Sequence, residues 1–288
     1  MFIMIIDSHA HIFSSKIVAG VSARSTMVEK LNLHASFAKG RTDISSLRDD
    51  CRSSGISACL ILPTADAASV NKINTAFIKH AAGSDFIFTA GTLHPLYKDN
   101  SNELSRLQEL GVRAIKLCSF SQGFSLPDQE TLDLFTIIES ANIQNNLRTF
   151  VILDTFYLAH EYFGTPDRHT TTPMLLGDIV RKYPGIDFVA AHMGGLAAPP
   201  EEIFTHLVPS GNLYLDTSNA AHTLSEKDFL HLLEMHGPEH IIFGTDWPWF
   251  DHREELEIIG RLLGMAGYNS KEKEKVFYGN IAGLLGIL

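Results

Sequence analysis

The sequence predicts a (β/α)8 barrel (TIM barrel), formed as one domain by residues 1–288. Short apolar segments alternate with longer amphipathic segments along the whole chain, a pattern that predicts parallel strands joined by helices. The length of 288 residues is close to the roughly 250 residues typical of this barrel. Polar residues end most of the apolar segments, and a barrel of this kind carries its active site at those strand ends.

The apolar segments predict the strands of this barrel. They are, in chain order, Met4–His11, Ala58–Thr64, Phe86–His94, Ala114–Ser119, Phe150–Thr155, Phe188–His192, Leu213–Thr217 and Ile241–Asp246. The predicted helices between them are Ser45–Ser53, Val70–Ala81, Asn102–Leu110, Asp128–Asn145, Pro173–Tyr183, Glu201–Leu207 and Ser225–His236. A last helical stretch is expected from Arg253 towards the C-terminus, with a break near Gly267. Because no G-x-G-x-x-G motif follows the first strand, a dinucleotide-binding sheet is disfavoured.

Two long connections lie on the side of the barrel where the active site is expected. They are Phe13–Thr42 after the first strand and Phe156–Thr172 after the fifth. Connections of such length are commonly lids or binding loops. The second contains the polar and aromatic residues Tyr157, His160, Tyr162, Arg168 and His169. These residues suit a cover over a polar substrate and equally suit a solvated surface loop.

Composition and charge exclude several kinds of partner. Hydrophobic residues make up 45% of the chain and charged residues 19%, as in a globular enzyme. The net charge of −10 argues against nucleic acid, which calls for a basic surface. No apolar run approaches the roughly 18 residues of a membrane helix, and the opening MFIMIID lacks the basic region of a signal peptide. The cysteines Cys51, Cys59 and Cys118 match no disulfide framework. We therefore expect a cytoplasmic enzyme with a small-molecule substrate, and homo-oligomer formation remains open.

The strongest motif is Asp7-Ser8-His9-Ala10-His11 at the end of the first strand. Side chains two residues apart in a strand point the same way, so His9 and His11 are expected to converge inside the barrel. Imidazole suits zinc, iron and other transition-metal ions. The alternative is a pair of half-buried histidines that make ordinary hydrogen bonds, and the position in the first strand of a barrel makes the metal site the preferred interpretation.

Asp246 ends the last predicted strand and is followed by Trp247 and Pro248. The first and last strands of a closed barrel are neighbours, so Asp246 is expected beside His9 and His11. There it could bind the ion and accept a proton from metal-bound water. An N-cap of the following helix is the alternative role. Trp247 is a candidate contact for the substrate.

Other strands also end in residues that carry chemistry. His192 ends the sixth strand, where an imidazole could act as acid or base near neutral pH. His94 ends the third strand and Lys116 the fourth, and both are candidate substrate-binding residues. An ordinary ion-paired lysine is the alternative for Lys116.

These motifs resemble the amidohydrolase-related family of TIM barrels, in the branch of amidohydrolase-like hydrolases and aminocarboxymuconate-semialdehyde-type decarboxylases. The segments that carry the resemblance occur in the family's order: DSHAHIF, AGTLHP, VRAIKL followed by QGF, AAHMGG, LYLDTS and FGTDWPW. The resemblance implies one divalent metal ion, commonly zinc, bound by His9, His11 and Asp246. It also implies that His192 lies near the reacting group.

The chain departs from this family at the ends of the fourth and fifth strands. The fifth strand commonly ends in a metal-ligating histidine, where this chain has Asp154, and the fourth commonly reads Lys-Leu-His-Pro, where this chain has Lys116-Leu117-Cys118-Ser119. A carboxylate oxygen binds zinc at a distance close to that of an imidazole nitrogen. Asp154 is therefore expected to bind the metal directly or through one water, with a pair to Lys116 as the competing arrangement.

The residues and the resemblance together predict an enzyme. The leading interpretation is a metal-dependent hydrolase, in which a metal-activated water, deprotonated towards Asp246, attacks a small amide, ester or lactone. The first alternative is a non-oxidative decarboxylase of a small unsaturated or aromatic carboxylate, because the same groups serve both reactions. The second alternative is a barrel without metal that acts as a binding module, which only the replaced fifth-strand histidine supports.

Overall fold

The computed structural model describes residues 4–84, 86–145 and 148–288. Its strands are β1 (Ile6–Ala10), β2 (Ala58–Ile61), β3 (Ile87–Thr89), β4 (Gly91–Thr92), β5 (Ala114–Leu117), β6 (Phe150–Leu153), β7 (Phe188–Ala190), β8 (Leu213–Asp216) and β9 (Ile241–Ile242). Its helices are α1 (Ser15–Ser22), α2 (Ser25–Lys30), α3 (Ala35–Ala38), α4 (Ile44–Ser54), α5 (Val70–Ala81), α6 (Asn100–Glu109), α7 (Ser119–Gln122), α8 (Gln129–Asn145), α9 (Ala159–Phe163), α10 (Pro173–Lys182), α11 (Pro200–His206), α12 (Ala220–Thr223), α13 (Glu226–His236), α14 (His252–Met265), α15 (Ser270–Glu274) and α16 (Asn280–Leu285).

The strands form a closed parallel barrel, as the sequence predicts. One ladder has the order β1-β2-β3 and the other runs β4-β5-β6-β7-β8-β9, and all strand pairs are parallel. The segments β3 and β4 are the two halves of the predicted third strand, separated by Ala90, whose N–H still donates to the Ile61 carbonyl at 3.0 Å. The barrel therefore has the expected eight strand positions, and the prediction of its fold is confirmed.

Backbone hydrogen bonds between β1 and the segment after β9 close the barrel. The N–H of Ser8 donates to the Phe243 carbonyl at 3.0 Å, and the N–H of Asp246 donates to the His9 carbonyl at 2.9 Å. Gly244 lies at this seam, where a Cβ atom would meet the Cβ of His9 at 2.9 Å. A glycine is thus required for the two segments to approach, and the approach brings Asp246 next to the histidine motif.

Side-chain alternation along the strands separates the barrel interior from the layer of helices. In β6, Phe150 and Ile152 belong to the interior cluster, whereas Val151 and Leu153 pack in the cluster beneath the helices. Ile281 of α16 joins the interior cluster, so the C-terminal helix covers the N-terminal ends of the strands. Side chains alternate along each strand. The polar residues that follow the interior positions therefore lie at the opposite end of the barrel, where the strands have their C-terminal ends.

Helix ends follow local sequence signals. Asp43 accepts a hydrogen bond from the Ser46 N–H at the start of α4, and Thr172 caps α10 in the same way, as expected of these residue types. The predicted break near Gly267 separates α14 from α15, and Gly267 has a φ of 81°. Local chemistry therefore accounts for these helix boundaries.

Two features differ from the sequence-based expectations. The last strand is regular only over Ile241–Ile242, because the next N–H groups leave the ladder: that of Phe243 donates to the Val276 carbonyl at 3.0 Å and that of Gly244 to Thr217 Oγ1 at 3.1 Å. The long connection after β1 is not an irregular loop, since it contains α1, α2 and α3. Among the described residues, no helix has both the length and the apolar character needed to cross a membrane. The cysteines Cys51, Cys59 and Cys118 are unpaired and buried.

Candidate active site

The backbone takes up an unusual conformation where three consecutive strands end. Residues with left-handed φ values follow β7, β8 and β9: His192 at 56°, Asn219 at 54° and Asp246 at 65°. Non-glycine residues adopt positive φ rarely, and such strain clusters at functional sites. The three side chains all line one cavity at this end of the barrel.

His9 and His11 converge, as their spacing predicts. Their Nε2 atoms are 3.1 Å apart. The Nδ1 atom of His9 lies 2.8 Å from Asp216 Oδ2, and the Nδ1 atom of His11 lies 3.2 Å from the Leu62 carbonyl oxygen. Because a carboxylate and a carbonyl only accept, both histidines hold their proton on Nδ1 and turn the Nε2 lone pair inward. Burial lowers the pKa of His9 to about 4 and that of His11 well below its usual value, so both rings are neutral.

The donor atoms of His9, His11 and Asp246 fit a single divalent metal ion. One ligand atom from each lies within 4.8 Å of the others, and His11 Nε2 is 3.5 Å from Asp246 Oδ1. Ligands bound at about 2.1 Å to one tetrahedral ion lie roughly 3.4 Å from one another. The Nε2 lone pairs of His9 and His11 are so close that they repel each other unless a cation lies between them. The hydrogen bonds at Nδ1 are of the kind that orients metal-binding histidines.

Asp246 is nearly fully buried, which alone disfavours its ionised form. Burial raises the pKa of Asp246 to about 7. The charge of His192 lowers this pKa, and the nearby Asp154 carboxylate raises it. A buried carboxylate needs a compensating cation. A cation bound by His9 and His11 would lie beside the Asp246 carboxylate and compensate its charge.

Lys116, which is fully buried, and Asp154, which is largely buried, form an ion pair beside the histidine cluster. Lys116 Nζ lies 3.5 Å from Asp154 Oδ2, and His192 Nε2 lies 3.8 Å from the same oxygen. Although burial opposes ionisation, the Lys116 ammonium and His192 hold the pKa of Asp154 well below its usual range. Among the described residues, the group whose ligand atoms converge contains His9, His11 and Asp246 without Asp154. Metal binding by Asp154 stays a prediction, and the observed geometry shows its contact with Lys116.

His192 projects from the end of β7 with its ring oriented by Ser218. Its Nδ1 lies 2.9 Å from the Ser218 carbonyl oxygen, so this nitrogen is a donor and Nε2 faces Asp154. Burial opposes protonation of the ring, but the hydrogen bond to Asp154 and the Asp246 and Asp216 carboxylates raise the pKa of His192 to about 9. His192 can therefore carry a proton at the cavity floor.

Asp216, Ser218 and Asn219 are site residues to which the sequence analysis gave no role. Asp216 Oδ2 accepts from His9 and its Oδ1 accepts from the His192 N–H at 2.9 Å. The Ser218 hydroxyl contacts both His9 Nδ1 at 3.1 Å and His192 Nδ1 at 2.9 Å. The available signals were the position of Asp216 at the end of an apolar strand and the segment LYLDTS, which carried the family resemblance and ends in this Ser218.

His94 and Trp247, the other predicted substrate contacts, do not reach the cavity. His94 Nε2 donates to the Gln122 carbonyl at 2.9 Å and its Nδ1 accepts from the Leu96 N–H at 3.1 Å, so both nitrogens are satisfied by the protein. Trp247 is fully buried, and its Nε1 donates to Asp50 Oδ2 at 3.0 Å. Of the two tryptophans, Trp249 lines the cavity. Both assignments stay predictions without a supporting contact.

The cavity above the histidine cluster has a polar floor and apolar walls. Its volume is about 240 Å³. The floor consists of His11, Thr64, Lys116, Cys118, Ser121, Asp154, His192, Asn219 and Asp246. The walls consist of Phe13, Ile17, Val21, Met27, Leu31, Leu33, Phe120, Phe156, Phe163, Leu196 and Trp249. Such a site suits a small molecule with an apolar body and one polar end.

The walls come largely from the two long connections. Met27 and Leu31 of the first connection pack with Phe156 and Ala159 of the second in one apolar cluster. In the second connection it is Phe156 and Phe163 that face the cavity, whereas the predicted polar set (Tyr157, His160, Tyr162, Arg168 and His169) is absent from its lining. The connections thus cover the site, but with apolar side chains.

A parallel barrel with a histidine–carboxylate centre at the C-terminal ends of its strands defines the class of (β/α)8-barrel enzymes that use a divalent metal ion. Within that class the chain belongs to the amidohydrolase family, because the family model described as Amidohydrolase matches residues 64–287. The resemblance stated from the motifs is thereby confirmed. The match begins after β1, so the assignment of His9 and His11 rests on their geometry. No curated protein sequence is significantly similar to the chain.

Solved structures with the same fold include both decarboxylases and a hydrolase. A 5-carboxyvanillate decarboxylase from Novosphingobium aromaticivorans, complexed with manganese and 4-hydroxy-3-methoxy-5-nitrobenzoic acid, has a TM-score of 0.72 at 15% identity, covering 98% of this chain and 96% of that one. A dihydroxybenzoic acid decarboxylase from Polaromonas, with manganese and 2-nitroresorcinol, has a TM-score of 0.70 at 16% identity, covering 99% and 97%. A probable 2-pyrone-4,6-dicarboxylic acid hydrolase from Acinetobacter baumannii, with citric acid, has a TM-score of 0.62 at 15% identity, covering 98% and 99%.

Proposed function

We propose that the protein is a divalent-metal-dependent decarboxylase of a small aromatic or unsaturated carboxylate. The observation that carries the proposal is the cavity: aromatic walls that include Phe13, Phe156 and Trp249 stand over a floor that holds Lys116 and the histidine cluster. Flat aromatic surfaces favour a flat substrate ring. The two manganese-bound decarboxylases with aromatic ligands support the same substrate class by analogy of fold.

The metal ion would be held by His9 Nε2, His11 Nε2 and an oxygen of Asp246. When bound, it supplies a positive charge that holds the substrate's oxygens and polarises them. The sequence-based resemblance implies zinc, and the two decarboxylase structures named above contain manganese. We propose one divalent ion per chain and treat zinc and manganese as the two candidates.

In decarboxylation the bond between the substrate carbon and its carboxylate breaks. The electron pair stays on the carbon, which takes up a proton, and CO2 leaves. His192 is the proposed proton donor, because Ser218 holds its Nδ1 and turns its Nε2 towards the cavity. The apolar walls favour the reaction, since the carboxylate loses its charge as CO2 forms and a water-poor cavity penalises the charged reactant.

Hydrolysis of a small ester, amide or lactone is the second candidate. Asp246 favours it, because a carboxylate beside the proposed ion could take a proton from an attacking water. The two reactions differ in their products, since only decarboxylation releases CO2.

The proposal is tested by incubating protein loaded with Mn²⁺ or Zn²⁺ with a panel of hydroxybenzoates and unsaturated acids. We expect CO2 release and, in D2O, one deuterium on the carbon that carried the carboxylate. The double variant His9→Ala/His11→Ala is the matched control and should lose both the metal, close to one ion per chain in the parent, and the turnover. Acid release from an ester or lactone panel without CO2 would establish the hydrolase, and stoichiometric metal in the double variant would refute the assigned centre.

A further inference from the structure

Asn219 is the cavity residue whose polar atoms the protein leaves unsatisfied. It follows Ser218 after β8, is fully buried and lines the cavity. Neither Oδ1 nor Nδ2 has a hydrogen-bond partner among the described residues. Other polar residues of the floor do have partners within the protein: Lys116 contacts Asp154, and His192 contacts Ser218.

The unsatisfied amide of Asn219 is distinguished by its location. Several buried side chains of the described residues carry an unpaired polar atom, among them Asn100, His169 and His236, but within this set Asn219 alone lines the cavity. Buried polar groups are almost always paired, and leaving both ends of an amide unpaired costs free energy. Because Asn219 lines the cavity, a bound ligand could supply the missing hydrogen-bond partner.

The backbone at Asn219 indicates why an asparagine is suited to this position. Its φ of 54° lies in the left-handed region, which asparagine tolerates better than other residues that have a Cβ atom. Glycine would meet the conformational demand with less strain. A glycine, however, would supply no hydrogen-bonding group, so the conformation alone does not account for the amide.

The chemistry of the amide specifies the group that it would bind. A primary amide offers an accepting oxygen and a donating NH2 group and carries no charge. A hydroxyl both donates and accepts, so it can satisfy the two ends where a carboxylate satisfies only the NH2 group. Lys116 provides positive charge on the same floor, which leaves the neutral group of the substrate to Asn219.

We propose that Asn219 is a specificity-determining residue that binds a hydroxyl substituent on the carboxylate substrate. The proposal rests on the proposed function for the class of the substrate. It adds the prediction that the substrate is a hydroxylated acid and names the side chain that distinguishes it from the unsubstituted acid.

The first experiment compares stability and does not require a substrate. Asn219→Gly removes the amide and keeps the left-handed backbone accessible. Asn32→Gly is the matched control, because Asn32 also has a positive φ, of 51°, but is exposed and donates its Nδ2 to the His222 carbonyl at 2.6 Å. We expect the melting temperature of Asn219→Gly to be no lower than that of Asn32→Gly. A clearly lower value would show that the protein itself satisfies the amide, and it would overturn the proposal.

The second experiment measures binding by titration calorimetry of the metal-loaded protein. The probes are benzoate and its 2-, 3- and 4-hydroxy derivatives. We expect at least one hydroxybenzoate to bind about tenfold tighter than benzoate, the size of effect typical of a buried hydrogen bond to an otherwise unpaired group. In Asn219→Gly this advantage, taken relative to benzoate bound to the same variant, should shrink to under about threefold, whereas Asn32→Gly should behave as the parent.

The outcomes separate this proposal from the proposed function. If hydroxybenzoates keep their advantage in Asn219→Gly, the role of Asn219 is wrong and the decarboxylase proposal stands. If the parent binds none of the probes, the proposed substrate class fails, and the stability comparison decides whether the Asn219 amide is unsatisfied.

Discussion

The two histidines of this site owe their tautomer to the groups that hydrogen-bond their Nδ1 atoms. Asp216 fixes the proton of His9 on Nδ1, and the Leu62 carbonyl does the same for His11. Each contact leaves Nε2 as the free donor, so the tautomer that metal binding requires is built in before an ion arrives. The conformation of Asp246, with its left-handed φ, completes the donor set.

Asp246→Asn tests whether this carboxylate takes part in the reaction. The amide keeps the size of the side chain, but it is an uncharged and weaker ligand for a divalent ion, and in hydrolysis it could not take a proton from water. We therefore expect turnover to fall by roughly two to four orders of magnitude. The melting temperature should change little, because the variant no longer buries a carboxylate. Activity is measured with whichever substrate the panel identifies, and near-normal turnover would remove Asp246 from the mechanism.

Asp154→Ala distinguishes an ion pair from a metal ligand. Asp154 lies 3.5 Å from Lys116 Nζ, and removing one partner of a buried pair is expected to cost about 3–5 kcal/mol of stability. We expect that loss in chemical denaturation, with metal affinity nearly unchanged. The double variant Asp154→Ala/Lys116→Met is the control and should recover stability, because it leaves no buried charge unpaired. A marked loss of metal affinity in Asp154→Ala would instead support the sequence-based prediction that Asp154 binds the ion.

The elements around the site divide into a barrel that carries the charged floor and connections that form the walls. Arg24, between α1 and α2, joins the two connections: its guanidinium lies 4.9 Å from the centre of the Phe163 ring and its Nε donates to the Tyr162 carbonyl at 3.0 Å. The walls are thus held together by a contact outside the cavity.

Arg24→Met tests this contact between the connections. Methionine keeps an apolar chain but removes the cation–π contact and the hydrogen bond, which together stabilise by roughly 1–2 kcal/mol. We expect KM to rise about tenfold with a smaller change in kcat, and faster hydrogen exchange in α9. Arg41→Met is the matched control, because Arg41 lies over the Phe37 ring at 3.8 Å and neither residue lines the cavity. Equal KM values in the two variants would exclude the proposed role of Arg24.

Helix α13 ends in a buried histidine that makes stability depend on pH. Burial lowers the pKa of His236 to about 4 from its ordinary value of 6.5, and neither ring nitrogen has a hydrogen-bond partner among the described residues. Between about pH 6.5 and pH 4, His236 is therefore protonated in the unfolded chain and neutral in the folded protein. This contribution to stability is present above the unfolded pKa and is lost as the pH falls towards the folded pKa.

His236→Leu should remove this dependence. We expect the parent to lose about 2 kcal/mol of unfolding free energy at this residue between roughly pH 7 and pH 5. Denaturation of the variant at both pH values should show a loss smaller by that amount. Equal losses in the two proteins would mean that His236 is protonated as readily in the folded state as in the unfolded one.

The whole barrel depends on the seam between its first and last strands, where Asp7 makes four contacts. Its Oδ1 accepts from the N–H groups of His9 and Thr245, each at 3.0 Å. Its Oδ2 accepts from Thr245 Oγ1 at 2.7 Å and from His252 Nε2 of α14 at 3.1 Å. One carboxylate thus joins β1, the segment after β9 and the helix behind them.

Asp7→Asn should weaken the closure of the barrel. The amide NH2 group cannot accept the hydrogen bonds that Oδ2 now receives, so we expect a loss of about 3 kcal/mol or more in unfolding free energy. Asp66→Asn is the control, because Asp66 is exposed and its carboxylate accepts from the hydroxyl of the nearby Ser69 at 2.6 Å. A stability of Asp7→Asn equal to that of the control would show that the seam does not depend on this carboxylate.

The sequence by itself determined the order of the eight strands, the main helices between them and the convergence of His9 with His11. Both follow from local spacing: apolar periodicity selects the element, and alternation along a strand selects the face. The position of Asp246 beside the histidines also followed, because closure of a barrel makes the first and last strands neighbours. The family was recognisable for the same reason, since its motifs stand at strand ends.

Only the tertiary structure decided which of the other polar residues reach the cavity. Trp249 and not Trp247 lines it, Lys116 is in contact with Asp154, and Asn219 is a lining residue whose amide has no hydrogen-bond partner among the described residues. These relations join residues far apart in the chain, and they depend on strand register and on backbone turns with positive φ after the strands. The apolar walls depend in turn on how two long connections pack on each other, which no local pattern in the sequence encodes.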